Sequence, residues 1–100
     1  MPAFTAEVPH TLGQQAARER LEHFLDRIGE KYKGQIGEIT GTWADDTLNF
    51  VFTTFGIKIT GSMEVQDDKV ILSGELPFSA MMFKGKIVGG IEEALTKALA

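Results

Sequence analysis

Apolar and polar residues alternate through the middle of the chain, and three short interruptions cut the alternation: Asp45-Asp46, Phe55-Gly56 and Asp67-Asp68. Asp tolerates turn geometry by bonding its own backbone, and Gly supplies positive φ, so each interruption predicts a tight hairpin turn. Two-residue loops at these points set the registers. Trp43 then faces Leu48, Leu48 faces Met63 and Met63 faces Leu72. Ile39 faces Phe52, Phe52 faces Ile59, Ile59 faces Leu76, and Val65 faces Val70. Every row is apolar, and a slip of one residue would turn each row to the opposite side. That opposite side carries Thr40, Thr42, Asn49, Thr53, Lys58, Thr60, Ser62, Glu64, Ser73 and Glu75, with Val51, Phe55 and Ile71 as large apolar exceptions. The pattern predicts a four-stranded antiparallel meander with one buried and one mostly wet face. Phe4, Ala6 and Val8 alternate with Thr5 and Glu7 ahead of Pro9, a further strand expected beside the last strand of the meander rather than beside Ile39.

Two segments follow the helical period instead. Leu12, Ala16, Leu21, Phe24, Leu25, Ile28 and Tyr32 share a face, opposite Arg18, Glu19, Glu22, Asp26 and Arg27. Thr11 with Gln14 reads as a capping box and Gly34 as a stop, so one amphipathic helix of roughly five to six turns is expected. After Leu76-Pro77, the residues Phe83, Ile87, Ile91, Ala94, Leu95 and Ala98 predict a second helix, capped by Ser79 or beginning a turn later. Gly85, Gly89 and Gly90 fall inside it, each costing about 1 kcal/mol against Ala. The fold class is α+β: a two-layer domain over residues 1–100, with an antiparallel sheet of about five strands in the order β-α-β-β-β-β-α and two helices on one face.

Composition narrows the chemistry. Of 100 residues, 43% are hydrophobic and 24% charged, an ordinary globular balance. The net charge of −4 provides no basic footprint for nucleic acid. With no Cys there are no disulfides, thiolate nucleophiles or thiolate metal sites. The first residues form no secretory signal and no apolar run is long enough for a transmembrane segment, so a cytoplasmic location is expected. His10 and His23 are the only histidines, and neither belongs to a metal-binding spacing, so no metal and no cofactor are expected. His23 reads as a solvated surface residue and His10 as a polar group tying the strand to the helix. His10 as a general base would lack a nucleophile or an orienting partner. The Asp pairs belong to turns, and a hydrolase or isomerase finds no nucleophile–base pair.

Two features remain that could bind something. Gly41, Phe50, Gly61 and Gly74 fall opposite one another on the inner face, three glycines around one ring. Such a row means either close packing of a helix or a shallow cavity, a ligand site at Trp43, Phe50, Gly61 and Gly74. The run Phe78, Met81, Met82 and Phe83 is too long for one helix face, and either completes the core or forms an interaction surface.

His10-x-Leu12-Gly13 with Ala16-Ala17-Arg18, Asp46-Thr47-Leu48-x-Phe50, Gly61 to Val65, Leu76-Pro77-Phe78 and Phe83-Lys84-Gly85-Lys86-Ile87 together resemble the polyhydroxyalkanoic acid system proteins, short bacterial proteins encoded near polyester granule genes. The resemblance spans essentially the whole chain and carries no catalytic signature. It implies a non-enzymatic accessory or granule-associated protein that meets a polyester granule surface through an apolar surface or groove. The strand–helix–meander–helix order is also similar to a reduced helix-grip fold, as in polyketide cyclase-like and START-like lipid-binding domains. This implies the alternative, a small hydrophobic-ligand (acyl or lipid) binding protein with its pocket between the sheet and the last helix. A homodimer through the Thr-rich face or the Met81–Phe83 patch is compatible with either.

Overall fold

The computed structural model describes residues 3–54 and 56–100. Strand β1 (Ala3–Pro9) is followed by helices α1 (Gln14–Arg20) and α2 (Phe24–Lys31). Strands β2 (Ile36–Ala44), β3 (Thr47–Thr54), β4 (Ile57–Val65) and β5 (Lys69–Glu75) come next. A 3₁₀ segment (Phe78–Phe83) then leads into helix α3 (Lys84–Leu99). The strands form one antiparallel sheet in the order β1-β5-β4-β3-β2. This is the two-layer α+β arrangement the alternation predicts, with β1 beside the last strand.

The registers agree with the turn chemistry. Trp43 pairs with Leu48, Leu48 with Met63 and Met63 with Leu72. Ile39 pairs with Phe52 and Phe52 with Ile59, while Val65 pairs with Val70. Asp45 takes the positive φ of 53° that its turn demands, and Gly56 takes 72°. Phe55, the other residue of that predicted turn, lies outside the described residues. Pairing on β2 skips a residue between Ile36 and Ile39, a bulge near the strand's start.

Burial explains why the register holds. Ile59, Met63, Val65, Val70, Leu72 and Leu76 are fully buried on the inner face. At roughly 1.5–3 kcal/mol for each large side chain, a one-residue slip of either strand would forfeit an amount comparable to the stability of a small domain. Ala17 and Leu21 from the first helical segment, Phe24 and Ile28 from the second, and Ile87, Leu95 and Leu99 from α3 close the core from above.

Two local expectations are corrected. The first helical stretch is two helices, bent at Leu21–His23, where the Phe24 N–H reaches back only three residues to the Leu21 carbonyl at 3.0 Å. The two pieces pack on different neighbours: α1 lies against β4 and α3, and α2 against β2. A straight helix could not follow both. Thr11 forms no capping box, since Gly13, at φ 84°, precedes the first helical residue. The Gln14 N–H instead donates to Asp67 Oδ1 in the β4–β5 turn at 3.2 Å, and Gln14 Nε2 donates to the Val65 carbonyl at 3.0 Å. The last helix begins at Lys84, the later of the two starts expected for it, because the residues after Pro77 wind as a 3₁₀ segment.

Candidate functional site

Two surfaces stand out from the packed core. The first is a groove bounded by α2, the β2–β3 edge of the sheet and α3. Phe24, Leu25 and Ile28 line it from α2, Tyr32 from just past that helix's end, and Ile36 and Ile39 from β2. Phe50, Phe52 and Thr54 form its floor, and Lys86, Ile87, Gly90 and Ile91 its far wall. Its free volume is about 90 Å³. Apolar cavities that hold benzene run to roughly 150 Å³, so a ligand here would lie along the groove instead of being enclosed. Polar groups sit at the margins. Thr54 Oγ1 donates to the Gln35 carbonyl at 3.0 Å, which satisfies the buried hydroxyl. Among the described residues, Lys86 is the one charged side chain lining the groove.

The residues proposed from the sequence as a pocket do not come together there. Phe50 is on the groove floor, its ring stacked at 6.1 Å from that of Phe52. Gly61 and Gly74 are covered instead. A Cβ on Gly61 would lie 2.7 Å from the Phe50 ring and 2.8 Å from the Ser73 carbonyl. On Gly74 it would lie 2.6 Å from the Phe4 ring and 2.5 Å from the Thr60 carbonyl. Leu25 occupies the space over Gly41 in the same way. The glycine row is therefore close packing: Phe4, paired with Gly74, and Phe50, paired with Gly61, spread over backbone that has no side chains. Trp43 also lies outside the groove, beneath the Arg18 guanidinium, 3.6 Å from its ring centre. The free space is beside Phe50, toward α2. Alternation on the strands alone could not show it, because half the lining comes from helices whose placement is tertiary.

The second surface is the 3₁₀ segment. Phe78 is 77% exposed and Met82 91%, with Met81 at 46% and Phe83 at 38%. Three residues per turn put Ala80 and Phe83 on one side, and fully buried Ala80 anchors that side to the core. Phe78 and Met82 are consequently held out into solvent, and Met81 and Phe83 are exposed beside them.

Several titratable groups make structural contacts. His10 is buried, accepts the Leu12 N–H at Nδ1 (3.2 Å) and meets the Gln66 carbonyl at Nε2 (3.0 Å). That arrangement requires the Nε2–H tautomer and occupies both ring nitrogens. A hydrogen bond from Arg18 holds the Glu22 carboxyl below its ordinary range, and one from Lys97 does the same for Glu93. A hydrogen bond to Glu7 raises the Lys69 ammonium. Among the described residues no group of three His, Cys, Asp or Glu side chains could hold a metal ion. No described helix is long and apolar enough to cross a membrane.

The fold and its surfaces define a small α+β protein with an apolar groove and an exposed apolar segment. Residues 5–99 match the family described as "Putative polyhydroxyalkanoic acid system protein", and the chain belongs to that family. No curated protein matches it. Among solved structures it is similar to Ara h 8.0201, at 12% identity and a TM-score of 0.49, over 98% of this chain and 97% of that one. It is also similar to TTHA0849 from Thermus thermophilus, at 15% identity and a TM-score of 0.41, over 98% and 94%. Both scores fall below 0.5, so the architecture rests on the strand order and register above.

Proposed function

We propose that this chain is a non-enzymatic, cytoplasmic accessory protein of the polyhydroxyalkanoate system that attaches to the polyester granule surface through Phe78, Met81, Met82 and Phe83. The observation that carries the reading is the near-complete exposure of Phe78 and Met82 beside a buried anchor. Removing two such side chains from water yields roughly 1.5–3 kcal/mol each, enough for reversible attachment and for stronger retention when many copies share one surface. Membership of the polyhydroxyalkanoic acid system family supports a polyester as the occupant. Engagement of both His10 ring nitrogens in backbone contacts supports a role without catalysis. In co-sedimentation with amorphous polyester particles, the native protein should pellet and Met82→Asp should stay in the supernatant with an unchanged melting curve. Equal pelleting of the two proteins would refute this surface.

The groove favours a second reading, a carrier of a single acyl chain lying between α2 and α3. Trp43 is outside the groove, so ligand-induced thermal stabilisation, rather than tryptophan fluorescence, is the direct test. A panel of single-chain acyl ligands that leaves the melting temperature unmoved would eliminate it.

A further inference from the structure

The two edges of the sheet are treated differently. Strand β1 is short, ends at Pro9, and carries Glu7 paired with Lys69 across the adjoining strand at 3.1 Å. Proline and charge are the usual means of keeping an edge from pairing with another chain. Strand β2, at the other edge, has neither Pro nor Lys in its nine residues, and its one charged residue is Glu38. Gly37, Glu38, Thr40, Gly41, Thr42 and Ala44 are exposed. Among the described residues, no backbone N–H or C=O from Gly37 to Ala44 bonds to anything outside the ladder with β3.

The hairpin fixes which groups point outward. With two residues in the loop, Ala44 and Thr47 form a hydrogen-bonded pair, and bonded and non-bonded pairs alternate from there. Trp43, Gly41 and Ile39 therefore turn their N–H and C=O groups away from β3. Such a row is complementary to one kind of partner, another strand in antiparallel register.

We propose that β2 pairs with β2 of a second copy of this chain about a two-fold axis at Gly41, continuing the sheet to ten strands. The sequence of β2 is self-complementary in that register. Gly41 faces Gly41 of the second copy, and Ile39 faces its Trp43 on the core side, twice by symmetry. Thr40 faces Thr42 on the outer side, again twice, and Glu38 faces Ala44. No like charges oppose, and the two large apolar side chains, Ile39 and Trp43, meet each other. Ile39 lines the groove, so Trp43 of the second copy would add to its wall. The 3₁₀ segment follows β5, which β4 and β3 separate from β2 in the sheet, so this inference does not depend on the granule reading. An interface at the β2 edge also differs from the two dimer surfaces expected from the sequence, the Thr-rich face and the Met81–Phe83 patch.

Sedimentation equilibrium of the full chain tests it, together with two charge variants at exposed positions. The native protein should have twice the mass of the chain. Thr40→Lys with Thr42→Lys places lysine opposite lysine in both pairs and should weaken the dimer by about tenfold or more. Thr40→Lys with Thr42→Glu places lysine opposite glutamate in the same register and should keep it. Amide hydrogen exchange should slow at Ile39, Gly41 and Trp43 with rising concentration and not at Thr40 or Thr42. A monomer at all concentrations would overturn the proposal. So would a dimer indifferent to the paired lysines, or one that the lysine–glutamate variant disrupts equally.

Discussion

Adding a methyl group at Gly74 tests whether the row of glycines across the sheet is packed as tightly as the geometry shows. Its backbone has no positive φ, so Ala is conformationally acceptable there and would by itself stabilise by roughly 0.4–1 kcal/mol through the unfolded chain. The obstacle is steric. The new Cβ would sit 2.5 Å from the Thr60 carbonyl and 2.6 Å from the Phe4 ring. Phe4 can swing, but the Thr60 oxygen belongs to the adjoining strand and yields only if β4 and β5 part. Overpacking of this kind costs roughly 1–3 kcal/mol, so Gly74→Ala should be destabilised by about 1–2 kcal/mol overall. At this chain length that is a fall in melting temperature of about 4–8 °C per kcal/mol. Gly89→Ala is the matched control. A Cβ there meets nothing within 4 Å, and Gly89 is inside α3, so the same substitution should stabilise by about 1 kcal/mol. Urea melts followed by circular dichroism at equal m-value would show midpoints moving in opposite directions. A Gly74→Ala midpoint at or above that of the native protein would refute the packed row. A fall for Gly89→Ala would mean that something covers that face of α3.

Further tests address the polar framework. His10→Ala leaves the Leu12 N–H and the Gln66 carbonyl without their partner, which should cost about 1–3 kcal/mol in the same melts, and a neutral result would remove His10 from the strand–helix junction. Carbon-13 titration should find Glu22 and Glu93 below the ordinary glutamate value of 4.5, because Arg18 and Lys97 bond their ionised forms. Their small contributions to stability are present above that value, are lost as pH falls through the lowered one, and should shrink with added salt. Lys69 titrates in the opposite sense: its contribution is present below its ordinary value of 10.5 and is lost as pH rises through the raised one. Replacing Glu7 by Gln should abolish the Lys69 shift and leave those of the two glutamates in place.

The sheet was legible in the chain because its signals are local. Asp45-Asp46 and Asp67-Asp68 specify turns within a few residues, and strict alternation then leaves one register that buries Leu48, Met63 and Leu72 together. The apolar run at Phe78–Phe83 was visible for a similar reason, as a length of hydrophobic residues that no single helix face could absorb. The bend at Leu21–His23 was not, because helical periodicity continues through it and only the differing positions of β2 and β4 force the change of direction. Asp67 capping Gln14 bridges residues far apart in sequence, so a local Thr11 cap looked equally good until the turn was placed beside the helix. The groove's side-chain lining belongs to the tertiary level, although a pocket between the sheet and the last helix beside Phe50 was expected from the sequence. Which glycines lie under Phe4 and Phe50, and where space remains beside Phe50, depends on how α2 and α3 settle on the sheet, since free volume is a property of facing surfaces and of neither sequence segment alone.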